Sequence, residues 1–166
     1  MTLVSGGPVD ASLSARQRLE ILSAVRTVAL VGASSNPSRP SFFVATYLVS
    51  SSCDYEIWFV NPRETEILGR PVFPSLDALP VVPDIVDAFR RPEDLPGVAG
   101  DAVAVGARVF WMQLGLRSEA AAEIALAGGL DVVQNRCLKI EHARFHGGLH
   151  LAGFDTGVID SRRWQP

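Results

Sequence analysis

The chain is 166 residues long, 48% hydrophobic and 20% charged, with a formal net charge of −3; this suits one compact domain and argues against a broad nucleic-acid-binding surface. It has no apolar run near the ~20 residues that span a bilayer and no positively charged, apolar leader in residues 1–14. Its two cysteines, Cys53 and Cys137, lie far apart without a CxxC pair, so a reducing, cytoplasmic setting is expected rather than a disulfide framework or zinc ribbon.

The first predicted element is an amphipathic helix over 12–25, with Leu13, Leu19, Ile21, Leu22 and Val25 on its apolar side and Ser12 or Ser14 as cap. A short apolar strand over 28–31 then runs into Gly32-Ala33-Ser34-Ser35. The next helix, over 41–51, carries Phe42, Val44, Ala45, Leu48 and Val49, and Pro40 suits its first turn. A second strand covers 56–60 and closes at Asn61-Pro62. Residues 67–74 read as a turn with a short extended piece, and 77–79 as one helical turn. A third strand over 85–89 ends at Arg90-Arg91-Pro92. A helix follows over 93–104, weakened by Gly97 and Gly100. The fourth strand covers 109–112. Ser118 opens a helix over 119–127 that Gly128-Gly129 stops. The fifth strand covers 130–133, and a short helix runs over 140–144. Residues 1–146 read as one domain and 147–166 as a tail with few apolar anchors.

Strands and helices alternating at these lengths imply an α/β fold: a doubly wound, parallel, five-stranded sheet with helices on both faces. Continuously apolar strands fit burial on both sides. In such a sheet, ligands bind outside the C-terminal ends of the strands. The residues there are Gly32 to Ser35, then Arg39 and Ser41; Asn61, Pro62 and Arg63; Arg90 and Arg91; Gln113; and Asn135, Arg136 and Cys137. None of these positions carries an acid, and arginines can grip phosphate bidentately. The turn after the first strand, feeding a helix N-terminus, suits a diphosphate. It is not the dinucleotide fingerprint: Ser34 and Pro37 stand where GxGxxG has its second and third glycines, and no acid is suitably placed after the second strand. NAD is disfavoured, whereas a ribose phosphate, as in NADP or coenzyme A, remains compatible with Arg63.

The segments Val31-Gly-Ala-Ser34, Asn36-Pro37, Arg39-Pro-Ser41, Val60-Asn-Pro62, Gly69-Arg-Pro-Val-Phe-Pro-Ser75, Val86-Asp-Ala-Phe-Arg90, Trp111-Met-Gln-Leu-Gly115 and Asn135-Arg-Cys-Leu-Lys-Ile-Glu-His142 occur in order over about residues 15–145. On them the chain resembles the small bacterial CoA-binding proteins, and more remotely the nucleotide-binding domain of succinyl-CoA synthetase alpha subunits. The resemblance implies a Rossmann-type fold, coenzyme A or an acyl-CoA as ligand, and no established reaction. It assigns Gly32, Ala33, Ser34 and Ser35 to the diphosphate, with Arg39 beside them. It places Asn61, Pro62 and Arg63 near the adenosine and its ribose phosphate, Phe89 and Arg90 at the adenine or pyrophosphate, and Trp111, Met112 and Gln113 along the pantetheine. The chain has no room for the synthetases' ATP-binding module.

Other candidates are weighed beside this site. Arg136 and Lys139 flank Cys137, a setting that favours thiol reactivity, so Cys137 is a candidate redox thiol facing the coenzyme's own; the alternative is a small buried hydrophobe. Cys53 reads as inert and Trp111 as core. His142, His146 and His150 stand four apart, but Gly147-Gly148 interrupts a helix there, so a solvated segment is favoured over a metal site. Ser34 and Ser35 have no base beside them and no nucleophile elbow. The expected function is CoA binding without catalysis, as carrier, sensor or thiol protection. An NADP-dependent oxidoreductase and the CoA-binding subunit of an acyl-CoA ligase are the alternatives.

Overall fold

The computed structural model describes residues 13–50 and 53–146. Helix α1 (Ala15–Ala24) is set by a reciprocal cap: Ser14 Oγ accepts from the Gln17 N–H at 3.2 Å, and the Gln17 side chain accepts from the Ser14 N–H at 2.8 Å. This satisfies two donors that a helix start otherwise leaves orphaned; the alternative cap, Ser12, lies outside the described residues. Strand β1 (Thr27–Val31), helix α2 (Pro40–Leu48) and strand β2 (Glu56–Val60) follow.

After β2 the chain departs from the expected sequence of elements. Residues read as a turn with an extended piece form a hairpin, β3 (Glu66–Ile67) and β4 (Arg70–Phe73). Leu68 and Gly69 both have positive φ, 51° and 74°, the geometry of a two-residue hairpin loop. Strand β4 then pairs in parallel with β2, Phe59 opposite Val72. The sheet therefore has seven strands rather than five.

A 3-10 turn (Leu76–Ala78) leads to β5 (Ile85–Ala88). A second 3-10 turn (Pro92–Asp94) precedes α3 (Leu95–Val105), so the helix expected over 93–104 starts later, with Pro96 in its first turn. Strand β6 (Val109–Met112), helix α4 (Glu119–Ala127), strand β7 (Asp131–Val133) and helix α5 (Leu138–His146) complete the fold. Ser118 Oγ caps α4 by accepting from the Ala121 N–H.

Strand order is β3-β4-β2-β1-β5-β6-β7, with every pairing parallel except β3–β4. Side chains alternate across the sheet, and two cores result. Ala29, Val31, Val86, Ala88, Phe110 and Met112 face α3 and α4; Val28, Leu30, Ile85, Val109 and Trp111 face α1, α2 and α5. A buried ion pair, Arg18 to Glu141 at 2.8 Å, ties α1 to α5. No helix among the described residues is long and apolar enough to cross a membrane.

Candidate functional site

Strands β1 and β5 are neighbours in the sheet although a helix and three strands separate them in the chain. From β1 the chain proceeds to β2 on one side; from β5 it proceeds to β6 on the other. Their C-terminal ends therefore diverge and leave a crevice at the point where strand order reverses. A cleft of about 650 Å³ occupies this place, reached by Gly32, Ser34, Arg39 and Ser41 from the first connection and by Asn61, Arg63 and Glu64 from the second. Phe89, Arg90 and Arg91 close it beyond β5, and Gln113 and Leu114 beyond β6.

The turn after β1 is shaped by a backbone demand. Gly32 has φ +85°, and a Cβ there would lie 2.2 Å from the Phe89 carbonyl oxygen. Only glycine lets the ends of β1 and β5 approach so closely. Three of the turn's backbone donors are already engaged. The Gly32 N–H donates to Val60 O at 2.8 Å and the Ser34 N–H to Ser41 Oγ at 3.1 Å. The Ser35 N–H and hydroxyl both donate to Glu64 Oε1 at 3.1 Å. Asn61 ties the two loops together, donating from Nδ2 to Ala33 O at 2.8 Å and accepting from the Arg63 N–H at 2.9 Å.

Two expectations change here. The turn's amides were read as free for an anion, yet three of them have protein partners. The strand edge was read as free of acids, yet Glu64 reaches into the cleft because its N–H turns back to Asn61 O. The Glu64 carboxylate takes two donors from Ser35 at once. It thereby shows that this turn accepts an anionic oxygen.

Charge comes from the surrounding connections. Among the described residues, four guanidinium groups line the cleft, those of Arg39, Arg63, Arg90 and Arg91, against the single carboxylate of Glu64. Arg91 lines the cleft while pairing with Glu93 at 3.5 Å and Asp94 at 3.4 Å. Arg39, Arg63 and Arg90 form no ion pair among the described residues. Arg39 precedes Pro40 at the start of α2, so its charge adds to the positive end of that helix.

Gln113 is held from behind. The Gln113 terminal atom that faces Asp87 lies 3.1 and 3.3 Å from its two carboxyl oxygens; as Oε1 it accepts from the Leu138 N–H at 3.3 Å, and with the amide turned over it is the nitrogen that donates to Asp87. Asp87 is fully buried in β5, and burial pushes its carboxyl well above the ordinary range. A protonated Asp87 donates to Oε1 and keeps the Leu138 bond. An ionised one would require the amide turned over and that bond given up. The neutral acid therefore satisfies the network.

The remaining expected site residues are placed differently. Met112 and Trp111 are fully buried and Ala33 nearly so, so their side chains do not line the cleft; the Trp111 indole donates to Arg136 O at 2.8 Å. Pro62 and Ser35 are exposed beside the cleft rather than in its wall. Cys137 is half-buried and lines an adjoining recess instead. His142 is buried, not solvated: Tyr47 Oη lies 2.8 Å from its Nδ1 and Cys53 Sγ 3.7 Å from its Nε2. Burial pushes the Cys53 thiol up, although a backbone bond from Tyr55 opposes this. His150 lies outside the described residues, among which no group of three or more His, Cys, Asp or Glu could hold a metal. Glu64, Pro92 and Leu116 are wall residues that sequence reasoning missed, whereas Arg91 stood among the strand-end residues from the start. Only the run Asn61 to Glu64, a turn at a strand end, carried any signal of them.

The model of a family described as the CoA binding domain matches residues 26–143. The chain is 40% identical over 124 residues to the protein YneT of Bacillus subtilis, covering 75% of this chain and 90% of that one. Among solved structures, a protein of Pyrococcus horikoshii is 34% identical with a TM-score of 0.77, over 86% of this chain and 99% of its own. One from Thermus thermophilus is 32% identical with a TM-score of 0.74, over 80% and 99%.

Proposed function

The chain belongs to the CoA binding domain family, and from that premise we propose that it binds coenzyme A, extended across the crevice between β1 and β5. The observation that carries this reading is the set of four arginines around a cleft whose one carboxylate among the described residues accepts two bonds from Ser35 of the turn. Coenzyme A is an adenosine bearing a diphosphate and a separate ribose phosphate. A cluster of guanidiniums spread over several strand ends suits such a ligand, because each can chelate phosphate oxygens in two-pronged fashion.

The diphosphate sits at the turn Gly32 to Ser35 and the start of α2, with Arg39 and Arg90 supplying charge. It displaces Glu64 from Ser35 as it enters. Arg63, beside Asn61, takes the ribose phosphate. Gln113 presents its amide, steadied by Asp87, to the pantetheine arm, whose own amides need partners away from water. The protein acts as a carrier, sensor or protector of the thiol, and no reaction is assigned to it.

Titration calorimetry with coenzyme A, its dephospho form and NADP tests the reading. Coenzyme A should bind, and the dephospho form more weakly through loss of the Arg63 contact. Tight NADP binding with none for coenzyme A would overturn it in favour of the oxidoreductase alternative.

A further inference from the structure

We propose that the recess beside the cleft receives the acyl chain of a coenzyme A thioester, so that the preferred ligand is an apolar acyl-CoA rather than the free thiol. This rests on the coenzyme lying in the main cleft as argued above. The recess measures about 380 Å³ and shares Pro40, Gln113 and Leu114 with the cleft. A ligand passing Gln113 thus reaches it directly from the cleft.

Its apolar wall is built from side chains left largely exposed. Phe43 on α2, Leu114 beyond β6 and Ile140 on α5 are 59%, 60% and 44% exposed. They come from three separate elements yet converge on one recess, together with Cys137. Surface hydrophobes scattered singly need no explanation; three meeting at the end of a ligand cleft do. A bare thiol is too small and too polar to cover them. A hydrocarbon chain attached at that sulfur covers them and removes its own surface from water in the same step. Gln113 stands at the boundary between cleft and recess, where the thioester carbonyl can accept a bond from an amide N–H.

The test compares coenzyme A with its acetyl, butyryl, hexanoyl and octanoyl thioesters by titration calorimetry on the whole chain. Affinity should climb with chain length by about fourfold for each methylene buried, equivalent to ~0.8 kcal/mol, until the recess is full. Phe43→Asp and Ile140→Asp alter exposed positions outside the coenzyme cleft. Each should lower octanoyl-CoA affinity at least tenfold while leaving coenzyme A within twofold. Equal affinity for coenzyme A and octanoyl-CoA overturns the acyl assignment and leaves the coenzyme site standing. Equal loss of both ligands in the variants also overturns it and assigns the recess to the pantetheine. No chain-length effect, with a dimer that Phe43→Asp converts to a monomer, overturns it in favour of a second copy on this face. Failure of every thioester and of coenzyme A itself removes the cleft reading too.

Discussion

The connections that follow β1 and β5 flank the same crevice but are built on opposite principles. The turn after β1 is closed on itself: Ser34, Ser35, Asn36 and Ser38 all donate their N–H groups to nearby side-chain oxygens. The connection after β5 offers charge instead, with Arg90 unpaired among the described residues and Arg91 held by two neighbouring carboxylates. A preassembled turn supplies shape at little ordering cost when a ligand arrives; guanidiniums on long side chains supply attraction. Geometry and charge are thus divided between the two sides, and substitutions should separate them.

The largest effect belongs to the shape side. Gly32→Val should destabilise the fold by roughly 3 kcal/mol or more, combining a positive φ with forced overlap on Phe89 O, and thermal melting will register it. A variant that melts normally yet loses coenzyme would mean that Gly32 serves the ligand and not strand packing. On the charge side, Arg39→Ala and Arg90→Ala should each weaken coenzyme A binding by ~1–3 kcal/mol without moving the melting midpoint. Unchanged affinity in both would dissolve the comparison.

Asp87 gives a pH signature. Its carboxyl titrates well above the ordinary 3.8 when folded, so between those two values the folded state holds the extra proton. Stability therefore falls as pH rises through that window, by up to about 1.4 kcal/mol per pH unit for one proton. Asp87→Asn, whose amide can still donate to Gln113 Oε1, should abolish that slope in denaturant melts between pH 4 and 8. A slope retained in the variant places its origin elsewhere. The smallest effect is at Glu64. Replacing it with glutamine removes an anion that competes for Ser35 and should tighten coenzyme A by roughly two- to fivefold, the scale of an exposed charge interaction. Weaker binding would make Glu64 a support of the turn rather than a placeholder.

Much of this molecule was legible in one dimension. The boundaries of β2, β6 and α4 match the expected ranges because continuous apolar runs, a capping Ser118 and a stopping Gly128 are local signals. The β3–β4 hairpin was not legible. A two-residue and a four-residue strand bury little by themselves, and Pro71 within β4 argues against a strand unless it lies near a sheet edge. Its stability comes from β2, which pairs with β4 through Phe59 and Val60. At the site, arginines at strand ends could be found by locating where each apolar run stopped.

By itself the sequence determined the parallel α/β architecture, the turn after β1, the family and the basic character of the strand edge, because apolar periodicity and motif order act over a few neighbouring residues. Tertiary structure decided which donors were already spent, that a carboxylate enters the cleft, that Asp87 is sealed beneath Gln113 and that three exposed hydrophobes meet at one recess. Those facts depend on partners from Ser35 to Glu64 or Asp87 to Gln113, and such partners meet only once the sheet has assembled around them.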